Sequence, residues 1–137
     1  MNFAPILLFV YNRLQHTQRC IESLLNNSLS KESELFIYSD AAKETTDQKK
    51  VEEVRQYIHT IQGFKRITII ERNDNWGLAR SIIDGVTTQI NQYGRVIVLE
   101  DDLVVAPYFL QFMNDALETY KNEPKIGHIQ ACDFTQD

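Results

Sequence analysis

Val96-Ile97-Val98-Leu99-Glu100-Asp101-Asp102 is the stretch on which the fold reading turns. Four apolar residues, three of them β-branched, run directly into three carboxylates. A short continuous apolar run suits a strand buried on both faces of a parallel sheet. A strand of that kind delivers its next residues to the edge where open α/β sheets bind ligands. Similar runs occur at 5–11, 35–38, 67–70 and 126–131.

Between these runs the apolar spacing changes to that of helices. Leu14, Ile21, Leu24 and Leu25 share one face, and Val51, Val54, Ile58 and Ile61 form a second stripe. Leu78, Ile82, Val86 and Ile90 form a third, and Phe109, Met113, Ala116, Leu117 and Tyr120 a fourth. Thr45 with Gln48 reads as a capping box, Pro107 suits a first helical turn, and Gly63 and Gly94 fall where left-handed helix stops are expected. Strand and helix alternating four times predicts a three-layer α/β domain with a mainly parallel sheet.

A chain of 137 residues fits one such domain over residues 1–137. Its 43% hydrophobic and 24% charged residues exclude wholesale disorder. Fourteen basic against nineteen acidic residues leave a net charge of −5, and no Lys/Arg cluster offsets it, so nucleic acid is not the expected partner. The apolar stretch 3–11 is far shorter than the roughly 20 residues of a bilayer helix, and it lacks signal-peptide flanks. Cys20 and Cys132 lie far apart without metal spacing, which reads as two packed thiols in a reducing cytoplasm. The chain stops at Asp137, directly after the fifth strand and without a closing helix; the expectation is a truncated part of a longer enzyme.

The strand ends carry the chemistry. Along an extended strand Glu100 and Asp102 should face one way and Asp101 the other. Three adjacent carboxylates repel, and a hard divalent cation such as Mg²⁺ or Mn²⁺ relieves that repulsion while keeping coordination places open for phosphate oxygens. The alternative is a solvated acidic turn ahead of the helix near Pro107. Asp40 ends the second strand and either hydrogen-bonds a base or ribose or caps its own loop. After the first strand, Asn12 is a candidate N-cap and Arg13 a phosphate or ribose contact, or simply a surface residue. In Asn75-Trp76-Gly77-Leu78-Ala79-Arg80, Gly77 permits close approach of a ligand to a helix start, with Arg80 in the first turn. Trp76 is either packing or a platform for a sugar or base. His16, His59 and His128 are scattered, the first two expected in solvent and the last packed in the fifth strand. No nucleophile elbow, Walker loop or dinucleotide fingerprint is present.

These residues resemble the nucleotide-binding half of GT-A glycosyltransferases of the family 2 type. Val10-Tyr11-Asn12-Arg13 followed by Cys20-Ile21-Glu22-Ser23-Leu24-Leu25 is similar to that family's opening strand and helix. The segment from Asn75 to Ser81 is similar to its Asn-x-Gly-x-x-x-Ala-Arg stretch, one residue shorter. Glu100-Asp101-Asp102-Leu103, with Ala106-Pro107-Tyr108-Phe109 behind it, resembles the acidic Asp-x-Asp motif in the form found in N-acetylglucosaminyltransferase I. The resemblance implies a Rossmann-like (GT-A) fold and transfer of a hexosyl or N-acetylhexosaminyl group from a nucleotide-diphosphate sugar, UDP-linked by preference, to a glycan or lipid-linked acceptor. It implies Asp102 as ligand of Mn²⁺ or Mg²⁺ with Glu100 in a weaker or outer role, and Asp101 as ribose or sugar contact. Asp40 would read the nucleobase, although Ser39-Asp40-Ala41-Ala42 stands where the family carries Asp-Asp-Gly-Ser. Tyr11 and Arg13 would flank the nucleotide, with Asn75, Gly77 and Arg80 completing its site. The resemblance implies a catalytic base C-terminal to the fifth strand, expected beyond Asp137, and Asp133 is not assigned that role.

Two other readings compete. A non-catalytic nucleotide-binding or interaction module keeps the fold without the reaction. A phosphoacceptor receiver domain has the same length and alternation, but needs acids after the first strand, an Asp after the third and a Lys after the fifth. Here Tyr11-Asn12, Glu71-Arg72-Asn73 and a Lys125 that precedes the fifth strand stand instead. An exposed sheet edge leaves homo-oligomerisation open.

Overall fold

The computed structural model describes residues 2–119 and the backbone of residues 129 and 130. Five strands, β1 (Ile6–Val10), β2 (Glu34–Ser39), β3 (Arg66–Glu71), β4 (Ile97–Glu100) and β5 (Ile129–Gln130), form one sheet in the order β3-β2-β1-β4-β5. Every pairing is parallel, with Phe9 opposite both Tyr38 and Glu100. The helices are α1 (Leu14–Leu25), α2 (Gln48–Ile58), α3 (Leu78–Tyr93) and α4 (Phe109–Thr119). Central β1 has neighbours on both sides and helices on both faces, so all five of its residues are buried. Each such side chain contributes about 1.5–3 kcal/mol on leaving water, which is why the run admits no polar residue.

Strand alternation divides the core in two, and the three-layer expectation holds. Ile6, Leu8, Val10, Leu35, Ile37, Ile97 and Leu99 pack with α1, α2 and α4. Leu7, Phe9, Phe36, Tyr38, Val96 and Val98 pack with α3. On that second face the rings of Phe9 and Tyr38 stack at 5.0 Å between centroids. They take up the depth between sheet and helix, so α3 turns Ser81, Gly85 and Gln89 inward. A Cβ on Gly85 would stand 3.0 Å from both rings. The expected stripe of Ile82, Val86 and Ile90 flanks this seam half-buried, and Leu78 is 49% exposed.

The chain steps outward from β1 to β3, then returns through α3 to place β4 on the other side of β1. That reversal is a topological switch point, where neighbouring loops diverge and leave a crevice. The order also differs from the 2-1-3-4-5 of receiver-type folds.

Several local expectations give way. Asn12 does not cap α1; Arg13 holds the cap position without a side-chain bond. No capping box forms at Thr45, which starts a separate 3-10 turn ahead of α2. α2 ends at Ile58, and Gly63 lies beyond it at φ +106°, where a Cβ would stand 2.6 Å from Leu25 Cδ2. Leu25, expected on the core stripe of α1, is 37% exposed and lies beside Gly63. Gly94 does close α3 in the left-handed conformation. Pro107 precedes α4 by two residues. Of the fifth apolar run only Ile129 and Gln130 are described; Tyr120, Lys125, His128, Cys132 and Asp133 lie outside the described residues.

Candidate functional site

A cavity of about 420 Å³ opens at the carboxyl ends of β1, β2 and β4. Its first wall is the loop after β1. Tyr11 Oη donates to Asp47 Oδ2 at 3.1 Å and accepts from the Lys43 N–H at 2.9 Å. Asn12 Nδ2 donates to Asp47 Oδ1 at 3.2 Å, so the side chain expected to cap α1 instead ties two loops together. Burial, helped by Asp47, pushes the Tyr11 hydroxyl above its ordinary pKa and keeps it protonated. Arg13 follows, exposed and lining the cavity.

Asp40 lines the cavity too, but its acceptor sites are engaged. Oδ1 accepts from the amides of Ala41 and Trp76, both at 2.9 Å. Oδ2 accepts from the Gly77 amide at 2.8 Å and from Asn75 Nδ2 at 3.3 Å. A carboxylate offers about four such places. Asp40 therefore ties the end of β2 to the start of α3, which is the loop-capping alternative rather than a carboxylate held free for a base. Asn75 Nδ2 also reaches the Ala41 carbonyl at 2.8 Å. Gly77, at φ +80° with nothing within 4 Å of its would-be Cβ, is required by backbone conformation rather than by space.

Arg80 is not brought to the cavity. Its guanidinium lies 3.9 Å from the centroid of Trp76, and that of Arg72 lies 3.7 Å from the same centroid. Two guanidiniums this close must take opposite faces of the ring, so Trp76 has neither face open for a sugar or base. Arg72 is held in turn by Asp84 at 2.6 Å.

The acidic triplet forms the remaining wall. The strand ends at Glu100, and the Leu103 amide closes a turn onto the Glu100 carbonyl at 3.2 Å. Strand alternation stops there, so Glu100, Asp101 and Asp102 all line the cavity instead of dividing between faces. Burial first, then the Asp102 charge, pushes the Asp101 carboxyl up to about 6, while Arg13 and His16 act in the opposite direction. The Cys20 thiol, buried against the Glu100 carbonyl and facing the same carboxylates, is pushed up to about 12. His16 is half-buried, and exposed His59 bonds Glu71 at 2.9 Å.

Among the described residues, no three His, Cys, Asp or Glu side chains are grouped closely enough to cage a metal. The donors present are hard oxygens of Asp102 and Glu100 at an open cavity. That set fits Mg²⁺ or Mn²⁺, which are held by one or two carboxylates and complete their shell with water and substrate phosphates. It does not fit a tetrahedral zinc site.

The structure thus gathers Tyr11, Arg13, Asp40, Asn75, Gly77, Glu100, Asp101 and Asp102 around one space and leaves Arg80 out. It adds Lys43 and Ser81 to the lining, with Asp47 behind Tyr11. Sequence offered no signal for Lys43 and Asp47, ordinary choices in a polar turn, and marked Ser81 only as the last residue of the stretch that begins at Asn75. Among the described residues no helix is long and apolar enough to cross a membrane. A search of curated proteins finds no match to the chain. The family model described as glycosyl transferase family 2 matches residues 6–134.

Proposed function

This chain belongs to glycosyl transferase family 2, and from that membership we propose that the cavity binds a nucleotide-diphosphate sugar, UDP-linked by preference, together with Mn²⁺ or Mg²⁺ at Asp102. Glycosyl transfer from a nucleotide sugar to an acceptor is the general reaction of the family. The finer reading is transfer of a hexosyl or N-acetylhexosaminyl group to a hydroxyl of a glycan or lipid-linked acceptor. One observation carries it: three consecutive carboxylates share a cavity at the sheet's switch point with Tyr11 and Arg13.

In this reading each residue has a physical task. Asp102, with Glu100 beside it, holds the cation, which when bound supplies positive charge against the departing diphosphate. The Arg13 guanidinium offers a planar fork of donors to phosphate oxygens. Tyr11, fixed by Asp47 and Lys43, forms a rigid side of the nucleotide slot without needing to be ordered on binding. Asp101 accepts a ribose or sugar hydroxyl. Asp40 and Asn75 contribute by holding the loop ahead of α3 in place. None of the described residues is assigned the role of general base.

Isothermal titration with UDP, with and without Mn²⁺, tests the reading. The expected result is binding at least about tenfold tighter with Mn²⁺, an increment that Asp102→Ala removes. Equal affinity with and without the metal, or an unchanged increment in Asp102→Ala, overturns it.

A further inference from the structure

Ser81 is the fourth residue of α3, is only 4% exposed and lines the cavity. Its amide bonds the Gly77 carbonyl at 3.1 Å, but its Oγ is buried with no hydrogen-bond partner among the described residues. Serines within helices commonly return the hydroxyl to the carbonyl four residues back. Ser81 does not, and an unpaired buried hydroxyl lowers the stability of the free protein.

Its surroundings select the partner. Phe9 and Tyr38 supply an apolar floor, and Glu100 rises from the same face of the sheet as Phe9, directly opposite it in register. The Asp40 carboxylate occupies the amides of Trp76 and Gly77 at the start of the helix. With carboxylates flanking the corner and the N-terminal amides partly used, a phosphate there meets like charge. A neutral hydroxyl can bond Ser81 Oγ and face Glu100 while its ring lies on the aromatic floor.

We infer that Ser81 is a specificity-determining residue of the donor site, whose Oγ hydrogen-bonds a ring hydroxyl of the bound nucleotide sugar. The inference rests on the donor-site reading above. The hydroxyl belongs either to the ribose or to the transferred sugar, two sources of one chemistry.

Titration of wild type and Ser81→Ala with UDP, UDP-glucose and UDP-N-acetylglucosamine, all with Mg²⁺, tests it, alongside thermal melts of both proteins without ligand. Loss of the bond weakens at least one UDP-sugar by about 3- to 10-fold, while the Tm of Ser81→Ala stays level or rises. If UDP weakens by the same factor the hydroxyl is the ribose's; if UDP is unaffected it is the sugar's; both support the inference. Unchanged affinity for all three ligands overturns it, as does weaker binding accompanied by a lower Tm, which marks a structural role. A wild type that binds none of the three fails the donor-site reading itself, and this inference with it.

Discussion

Asp40→Ala separates a residue that reads ligand from one that holds the site together. Asp40 is 9% exposed, and its carboxylate accepts from three backbone amides and the Asn75 side chain at 2.8–3.3 Å. Hydrogen bonds to charged groups contribute about 1.5–3 kcal/mol each, but truncating a helix-start acceptor costs only about 0.5–2 kcal/mol, because water reaches part of what is freed. Residues 75–77 are half-buried, so water replaces Asp40 incompletely. We therefore expect Asp40→Ala to lose about 3 kcal/mol. For a chain of this size, at about 3–5 °C per kcal/mol, the Tm falls by about 10 °C or more. Asp40→Asn, which keeps one carbonyl acceptor, should lose about half as much. The assay is ligand-free thermal or urea unfolding, paired with UDP titration well below the variant's midpoint. A Tm within about 2 °C of wild type, combined with lost nucleotide affinity, refutes the reasoning and restores Asp40 as a direct ligand contact.

Arg80→Ala should leave UDP affinity within about twofold, whereas Arg13→Ala weakens it about tenfold, as titration would show. Cys20, protonated and buried at pH 8, should resist iodoacetamide in the native protein and react once urea is added; peptide mass mapping reads the difference, and equal rates contradict the placement. Asp101 binds a proton more tightly folded than unfolded, its carboxyl pushed from 3.8 to about 6, so its ionisation opposes folding as pH rises through about 4–6. In EDTA, Asp101→Asn should therefore be more stable than wild type at pH 8, with the gain shrinking toward pH 4 in urea melts.

The buried runs declared themselves in the sequence because a strand covered on both faces is built mainly of apolar residues; β1, the 35–38 run of β2, the 97–99 run of β4 and the acidic end behind it were legible in that way. The helix that covers one sheet face alone was legible only in outline. Its Ile82, Val86 and Ile90 stripe does pack on the core, but Ser81, Gly85 and Gln89 form the innermost line, because the bulk of Phe9 and Tyr38 is set by strands far away in the chain. Local rules failed where a longer contact was available: Asn12 bonded Asp47, thirty-five residues on, instead of capping α1.

By itself the sequence determined the alternation of strand and helix, the parallel sheet and which strand ends carry polar chemistry, since hydrophobic period and run length are local properties. Tertiary structure decided which of those polar groups share a space and which are already spent on each other. Asp40 is occupied and Ser81 Oγ is not, although both line one cavity, because hydrogen-bond partners are assigned by three-dimensional proximity. Asp40 and Gly77 are thirty-seven residues apart in the chain and 2.8 Å apart in the fold, a distance that no spacing rule encodes.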